Sequence, residues 1–288
     1  MIRAAMPNAN AVATTVANVR IVRFAHPAGM SFGVLDGDGQ VAQIEGHPFG
    51  QISFTGTRYA QADVRLVSPI LPSKVVAVGK NYAEHVKEMN IGDAPKQPLL
   101  FLKPSTSVIG PGDAIRIPPG STNVHHEAEL AVVIGARGAR HVRPDQVAGS
   151  IFGYTIGNDV TERDMQKSDG QWTRAKGFDS FCPLGPWIET DLAGLGKDPA
   201  DLEVTCTVDG NLRQRGRTSQ LLFDVPTLIS YISDVMTLLP GDVVLTGTPS
   251  GVGPIFPGDR VDVTIEGLGT LSNPVADADR VSTAGGLR

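Results

Sequence analysis

The sequence predicts a β-rich α+β protein, and three observations support this fold class. The 288 residues include 33 glycines and 21 prolines, a content that favours tight turns and short strands over long helices. Short runs of β-branched residues bounded by turn residues, such as VRIVRF and LEVTCTVDG, are typical of strands. One segment carries clear helix signals. Asp224 suits an N-cap and Pro226 a first turn, and an apolar stripe follows at helical spacing: Leu228, Ile229, Ile232, Val235 and Met236.

The predicted strands fall into two units. We expect a flexible tail over residues 1–17 and a small N-terminal β domain over 18–72, with short strands joined by tight turns. A larger unit, 73–275, opens with the apolar run KVVAVG, and a second flexible tail covers 276–288. In the larger unit, NYAEHVKEMN predicts a helix that begins near Asn81.

Composition and charge exclude several classes of protein. The net charge of −5 and the isoelectric point near 5.7 argue against general binding to nucleic acids or to anionic membranes. Arg213, Arg215 and Arg217 form a local basic exception, which we place on a solvated turn. No apolar run approaches the ~18 residues of a membrane span, and no signal peptide is apparent. Cys182 and Cys206 fit neither a disulfide framework nor a metal motif, so the expected location is the cytoplasm.

The segment HHEAELAVVIG places Glu127 and Glu129 at the start of an apolar run. In a strand, side chains two positions apart point to the same face, so the two carboxylates would lie side by side. Such a pair is costly to bury unless a cation or hydrogen-bond donors compensate it. Two interpretations remain open from the residues alone, a solvated strand end and a cation site. Asp159, which ends YTIGNDV, would complete a hard oxygen set that suits Mg²⁺ or Mn²⁺ rather than zinc.

Six motifs in a fixed order carry a resemblance to a known family: VGKNYAEHVKEM, PLLFLKPST, HHEAELAVVIG, GYTIGNDVTERDMQ, WTRAKGFDSFCPLGPW and LTGTPSGVG. Over about residues 73–272 the chain resembles the fumarylacetoacetate hydrolase family. It looks closest to the branch of acylpyruvate hydrolases, oxaloacetate decarboxylases and 2-hydroxyhepta-2,4-diene-1,7-dioate isomerases. The resemblance implies a β-roll of mixed sheets around a pseudo-barrel, preceded by a small N-terminal β domain and assembled as a homodimer.

The resemblance also implies roles for particular residues. It makes Glu127, Glu129 and Asp159 the ligands of Mg²⁺ or Mn²⁺. It makes His85 and Glu88 a pair that activates water, and Lys176 the cation that stabilises an enolate oxygen. Substrate-binding positions would be Gln166 and Thr248, together with the backbone around Lys80 and Asn81. His125 and His126 are expected to support the site without binding metal.

The implied reaction is metal-dependent cleavage of a carbon–carbon bond in a small 2-oxo acid, through an enolate that the metal stabilises. Acylpyruvate-type hydrolysis and oxaloacetate-type decarboxylation both fit this scheme. One alternative is a 2-hydroxyhepta-2,4-diene-1,7-dioate isomerase of aromatic catabolism. Another, of a different class, is a metal-binding protein on the same fold without turnover. The sequence does not choose among the three reactions.

Overall fold

The structure is a computed structural model that describes residues 19–89 and 94–278. The predicted N-terminal tail, 1–17, and residues 279–288 lie outside the described residues. The last strand continues to Asp277 because Ala276 and Asp277 pair with Arg116 and Ile117. This strand therefore extends beyond the predicted boundary at residue 275.

The described strands are, in chain order, β1 (Arg20–His26), β2 (Gly29–Leu35), β3 (Gln40–Ile44), β4 (Phe54–Ala60), β5 (Arg65–Val67), β6 (Val75–Gly79), β7 (Leu99–Lys103), β8 (Val108–Ile109), β9 (Ile115–Ile117), β10 (Val124–His126), β11 (Ala128–Ile134), β12 (Ile151–Asn158), β13 (Thr161–Glu162), β14 (Cys182–Glu189), β15 (Glu203–Val208), β16 (Asn211–Arg217), β17 (Val243–Leu245), β18 (Gly253–Pro254), β19 (Arg260–Ile265) and β20 (Gly269–Asp277). The described α-helices are α1 (Ala83–Met89), α2 (Arg163–Ser168), α3 (Thr173–Gly177) and α4 (Val225–Val235). This content confirms the prediction of a β-rich α+β fold.

The described strands form three sheets. The largest has 12 strands and runs β4-β3-β2-β1-β14-β12-β11-β17-β6-β7, with β5 beside β1 and β8 beside β14. A five-stranded sheet has the order β16-β15-β19-β20-β9, and a three-stranded sheet has the order β13-β10-β18. The N-terminal strands are present as expected. They continue the large sheet, because β1 pairs antiparallel with β14.

Strand β11 lies at the centre of the large sheet, between β12 and β17. Every residue from Ala128 to Ile134 is buried. Its alternate side chains enter two different apolar clusters, one containing Leu130 and Val132 and the other Ala131 and Val133. A strand covered on both faces reads as a continuous apolar run, which is what the sequence predicted here.

Helix α4 confirms the prediction made from its cap and its apolar stripe. The Asp224 carboxylate accepts a hydrogen bond from the Thr227 backbone N–H at 2.9 Å, which satisfies an N-terminal donor of the helix. Leu228, Ile229 and Ile232 are buried. Val235, predicted as part of the stripe, is 59% exposed because it ends the helix outside the packed face.

The helix predicted to begin near Asn81 is present as α1, which begins at Ala83. The Asn81 side chain bonds to Thr246 and Phe223 and does not cap this helix. One local prediction was wrong. The basic segment with Arg215 and Arg217 lies on strand β16 rather than on a turn. These two arginines pair with Glu203 and Asp201. Among the described residues, no helix has the length and apolar character needed to span a membrane.

Candidate active site and metal centre

Neighbouring strands bring three carboxylates together. Glu127 lies between β10 and β11, Glu129 lies on β11, and Asp159 follows the end of β12. Strands β11 and β12 are antiparallel neighbours, and the Asp159 backbone N–H donates to the Glu127 carbonyl at 2.9 Å. One carboxylate oxygen from each of the three residues lies within 4.8 Å of the others. All three side chains are buried, so the interpretation of a solvated strand end is wrong.

Three buried cations face these three carboxylates. The Lys176 ammonium donates to Glu127 Oε2 at 2.8 Å and also contacts Asp159 Oδ2. Arg163 pairs with Glu127 Oε1 at 2.5 Å, and Lys103 Nζ donates to Asp159 Oδ1 at 2.6 Å. Glu129 has no ion-pair partner among the described residues and accepts the Gly247 backbone N–H at 2.6 Å. The charges therefore balance overall, but Glu129 receives a direct hydrogen bond from a backbone N–H and makes no ion pair among the described residues.

The pKa values of Glu127 and Glu129 are shifted in opposite directions. Burial tends to raise the pKa of Glu127, but the charges of Lys176 and Arg163 outweigh it and hold that pKa well below the usual range. Burial, together with the charges of Asp159 and Glu127, raises the pKa of Glu129 well above its ordinary value. Like charges at short distance act in this way. A further positive charge at the triad would therefore stabilise the ionised form of Glu129 most.

The triad opens into a cavity of about 290 Å³. Phe101 and Trp172 form an apolar wall, with their ring centroids 5.3 Å apart in an edge-to-face arrangement. The Lys176 ammonium lies 4.9 Å from the centre of the Phe101 ring. The cavity thus combines a charged floor with an aromatic wall, as ligand sites commonly do. The described residues that line the cavity are Val78, Gly79, Lys80, His85, Phe101, Glu127, Glu129, Asp159, Arg163, Gln166, Lys167, Trp172, Lys176 and Thr248.

His85 lines this cavity, whereas Glu88 lies behind it. His85 Nδ1 is 3.4 Å from Glu88 Oε2, on one face of α1 as the spacing predicted. Both Glu88 oxygens also accept the Gly251 backbone N–H, at 2.9 and 3.0 Å. Burial is the largest cause that lowers the pKa of His85, and it outweighs the negative charge of Glu127. The imidazole is therefore neutral at neutral pH, the form that can accept a proton.

Of the predicted substrate-binding residues, Lys80, Gln166 and Thr248 line the cavity. The Asn81 side chain does not. Its Nδ2 donates to the Thr246 and Phe223 carbonyls at 2.7 and 3.0 Å, and its Oδ1 accepts the Phe223 N–H at 2.8 Å. The Asn81 side chain is therefore fully engaged outside the cavity, and a role of its backbone in substrate binding stays a prediction. Gly247 has φ +104°, and a Cβ there would lie 2.8 Å from Asn81 Cβ, so this close approach requires glycine.

Two residues beside the triad were missed by the sequence interpretation. Arg163 lines the cavity, and its Nη1 donates to Gln166 Oε1 at 2.9 Å. Lys103 is 1% exposed, lies behind Asp159 and also donates to the Val160 carbonyl at 3.2 Å. The sequence offered one signal for each residue. Lys103 ends the apolar run LLFLK, and Arg163 directly follows the TE of the motif that contains Asp159.

The histidines before the triad do not point at it. His125 Nε2 lies 2.9 Å from Asn123 Oδ1, and His126 Nδ1 lies 2.9 Å from Gln214 Oε1. Burial lowers the pKa of His125 to about 4 and also lowers that of His126. Both are therefore neutral at neutral pH. Their supporting role in the site stays a prediction.

Comparison with known proteins identifies the family. A sequence profile described as "Fumarylacetoacetate (FAA) hydrolase C-terminal" matches residues 74–276. The chain belongs to the fumarylacetoacetate hydrolase family. A second profile, described as "Rv2993c-like, N-terminal", matches residues 19–69. These two matches cover the N-terminal strands and the part of the chain that carries the carboxylate triad.

Several proteins similar to this chain are described as enzymes of a stated activity. The mitochondrial oxaloacetate decarboxylase of Dictyostelium discoideum is 46% identical over 202 residues, which cover 68% of this chain and 90% of the relative. A solved structure from Mycobacterium smegmatis, described as 5-carboxymethyl-2-hydroxymuconate delta-isomerase, is 54% identical with a TM-score of 0.83. The match covers 90% of this chain and 100% of that one.

A third relative, maleylpyruvate hydrolase from Sphingobium sp. SYK-6, was solved in complex with manganese(II) and pyruvate. It is 31% identical with a TM-score of 0.73, and the match covers 90% of this chain and 100% of that one. Divalent metals therefore occur in the family, and the buried triad of the present chain has the oxygen ligands that such metals prefer.

Proposed function

We propose that this protein is a Mg²⁺- or Mn²⁺-dependent enzyme that cleaves a carbon–carbon bond in a small 2-oxo acid. The reaction would be acylpyruvate-type hydrolysis, oxaloacetate-type decarboxylation, or both. The observation that carries the proposal is the joint presence of a carboxylate triad, a buried lysine and a neutral histidine around one cavity. A metal-binding protein without turnover has no need of a neutral histidine in this cavity.

Glu127, Glu129 and Asp159 would hold the cation, since all three offer hard carboxylate oxygens within a short span. When bound, the cation supplies Lewis-acid activation of the oxygens of a 2-oxo acid. The Lys176 ammonium now neutralises Glu127 and Asp159. A divalent charge on the same oxygens would free the ammonium to face an anionic ligand instead.

The remaining polar groups of the cavity are hydrogen-bond donors. Gln166 Oε1 is already bonded to Arg163, so its amide N–H groups remain to face a ligand. Thr248 adds a hydroxyl and Lys176 an ammonium. A cavity that presents donors and a cation suits a ligand rich in acceptor oxygens, such as the carboxylate and keto groups of a 2-oxo acid.

The proposed hydrolysis divides into two roles for the chain. His85 takes a proton from a water molecule, whose oxygen attacks the acyl carbonyl of the substrate. The carbon–carbon bond to the pyruvyl unit then breaks, and its electron pair moves toward the keto oxygen. Lys176 places a positive charge where that negative charge develops. Decarboxylation breaks a bond to CO₂ instead, without a nucleophilic water, and so needs only the second role.

Isomerisation of a hydroxylated dienedioate is the second candidate, favoured by the 54% identity to the Mycobacterium smegmatis structure described as an isomerase. The cavity of about 290 Å³ lies at the lower end of the usual range for ligand sites, roughly 300–1,000 Å³. A short 2-oxo acid fits within this volume, and the substrate panel below tests whether a longer dienedioate is also turned over.

A substrate panel tests the proposal. Acylpyruvates, oxaloacetate and hydroxylated dienedioates are each assayed with Mg²⁺, with Mn²⁺ and after chelation. We expect metal-dependent turnover of at least one 2-oxo acid, with loss of turnover on chelation. Turnover of the dienedioates alone would favour the isomerase. Metal binding by calorimetry without turnover of any substrate would support the protein without catalysis.

The pH dependence of hydrolysis follows from the lowered pKa of His85. The neutral imidazole is the base, so kcat/KM should be highest above this pKa and fall as the pH drops through it. Because burial lowers that pKa from its ordinary value of 6.5, the midpoint of the acid limb should lie below 6.5 at saturating Mg²⁺. The kcat/KM for oxaloacetate decarboxylation should not show this fall at acidic pH. A midpoint above 6.5 for hydrolysis would contradict the assignment of a neutral His85.

A further inference from the structure

Gln214 is fully buried and joins two parts of the molecule that surround the site. It lies on β16, the edge strand of the five-stranded sheet, and has no exposed surface. Its Oε1 accepts the Ala128 backbone N–H at 3.0 Å and faces His126 Nδ1 at 2.9 Å. Its Nε2 donates to Thr248 Oγ1 at 2.7 Å and to the Pro249 carbonyl at 2.8 Å. All four hydrogen-bonding positions of the amide are thereby used.

The chemistry of the partners fixes the orientation of this amide. The Ala128 N–H can only donate, so the atom that faces it must be the oxygen. The Pro249 carbonyl can only accept, so the atom that faces it must be the nitrogen. His126 must then carry its hydrogen on Nδ1, because an amide oxygen offers none. A flipped amide would place donor against donor and acceptor against acceptor in a buried site, at high cost.

This orientation determines what the Thr248 hydroxyl can do. One Nε2 hydrogen is taken by Pro249, and the other goes to Thr248 Oγ1. The Thr248 oxygen is therefore an acceptor toward Gln214, and its own hydrogen must point elsewhere. Among the described residues no acceptor for that hydrogen is found, and Thr248 lines the cavity.

We propose that Gln214 is a positioning residue that makes the Thr248 hydroxyl a hydrogen-bond donor toward an anionic ligand oxygen in the cavity. The inference rests on the proposed function, since the ligand is taken to be a carboxylate of the 2-oxo acid class. Gln214 itself lies outside the cavity lining and acts only through Thr248. The following residue, Pro249, is held by the same amide, so the loop and the hydroxyl are fixed together.

Loss of Gln214 should leave Thr246 and Gly247 in place, although it removes the hydrogen bond to Pro249. Thr246 donates to the Leu130 carbonyl from its backbone N–H at 3.1 Å and from its hydroxyl at 3.0 Å. Gly247 is bonded to Glu129. These contacts do not involve Gln214. The metal ligand Glu129 should therefore keep its position when Gln214 is replaced, while the Thr248 hydroxyl becomes free to turn.

A double-mutant cycle tests the role, with oxalate as the probe and calorimetry in saturating Mn²⁺ as the measurement. We expect Thr248→Val to weaken oxalate binding by roughly 10- to 100-fold, the scale of a hydrogen bond to a charged group. Gln214→Met should also weaken oxalate binding, but by a smaller factor than Thr248→Val does. The double variant should bind as Thr248→Val alone does, within about threefold, because Gln214 acts only through the hydroxyl. Mn²⁺ affinity without oxalate should equal that of the wild type in all three variants.

A second variant guards against a folding defect. Gln214→Glu keeps the shape of the side chain and the acceptor for Ala128 but removes the amide donor that faces Thr248. The hydroxyl would then donate to the new carboxylate and turn its hydrogen away from the cavity. Gln214→Glu also removes the donor for the Pro249 carbonyl unless the new carboxyl is protonated, so thermal unfolding is measured beside oxalate binding, which should fall as in Gln214→Met.

Asn273→Leu is the matched control. Asn273 is buried on β20 of the same sheet and donates to the Gly110 and Asp113 carbonyls at 2.9 and 2.8 Å. Its replacement also removes two buried amide hydrogen bonds, so it should lower the melting temperature without changing oxalate affinity.

The outcomes separate the two proposals. Coincidence of the double variant with Thr248→Val supports the positioning role. Two results would overturn that role and leave the proposed function standing. In one, the loss of oxalate affinity in the double variant equals the product of the losses in the two single variants. In the other, both Gln214 variants bind oxalate as tightly as the wild type does. If the wild-type protein with Mn²⁺ binds no oxalate, the proposed function is overturned, and with it the ligand assigned to Thr248.

Discussion

Replacement of Glu129 by glutamine is expected to abolish metal-dependent activity while leaving the metal-free protein at least as stable as the wild type. Glu129 has no ion-pair partner among the described residues, and a glutamine oxygen can still accept the Gly247 N–H. The raised pKa of Glu129 means that the metal-free wild type loses stability as the pH rises through that pKa. The neutral glutamine removes this loss.

Asp159→Asn should also abolish metal-dependent activity, but at a cost in stability. Its carboxylate pairs with Lys103 and Lys176, and both lysines are buried. Removing one partner of a buried ion pair typically costs about 3–5 kcal/mol. Glu127→Gln should behave similarly, because it leaves Arg163 and Lys176 without their shared carboxylate.

Calorimetric titration with Mg²⁺ and thermal unfolding without metal check these expectations together. Changes next to a metal ligand already lower affinity by about 10- to 100-fold, so loss of a ligand should lower it by at least as much. Glu84→Gln is the control, since that side chain is 67% exposed and pairs only with Lys87 at the surface. Wild-type Mg²⁺ affinity in Glu129→Gln would remove Glu129 from the metal site.

The parts of the site that the sequence predicted are those set by local geometry. Glu127 and Glu129 were paired by the two-residue period of a strand, and their neighbours turned out to be buried as expected. Helix α4 was predicted from its own cap and first turn. The His85–Glu88 contact follows from helical spacing. Each of these relations spans only a few residues, so no tertiary information was needed.

The missed parts are set by contacts between distant segments. Lys103 lies 56 residues before Asp159, and Gln214 lies 88 residues after His126. The local sequence gives Lys103 only the signal that it ends an apolar run, and it gives Gln214 none, because burial is decided by how β7 and β16 are placed in their sheets.

His85→Ala is expected to separate the two proposed reactions. Hydrolysis needs a base for water, so its kcat/KM should fall by ~10²-fold or more, the usual scale for general-base catalysis. Oxaloacetate decarboxylation has no such requirement and should fall much less. Lys176→Ala should lower both reactions, because negative charge develops on the keto oxygen in each. The measurement is kcat/KM for an acylpyruvate and for oxaloacetate at fixed, saturating Mg²⁺.

The role of Glu88 can be resolved with two variants, because its carboxylate contacts both His85 and the Gly251 backbone N–H. Glu88→Ala removes both contacts, whereas Glu88→Gln keeps an acceptor for Gly251 and removes only the charge that stabilises protonated His85. If that charge assists proton transfer, Glu88→Gln should slow hydrolysis and leave decarboxylation nearly unchanged. Lys87→Met, on the exposed face of the same helix, should change neither reaction.

The combined variant His85→Ala with Glu88→Ala decides whether the pair acts as a unit. If Glu88 works through the imidazole, the double variant should hydrolyse acylpyruvates no more slowly than His85→Ala alone, since residues that act together are not additive. A further tenfold loss would mean that the tie between α1 and Gly251 matters independently of the histidine. An equal fall of both reactions in His85→Ala would refute its assignment as the activator of water, because decarboxylation uses none.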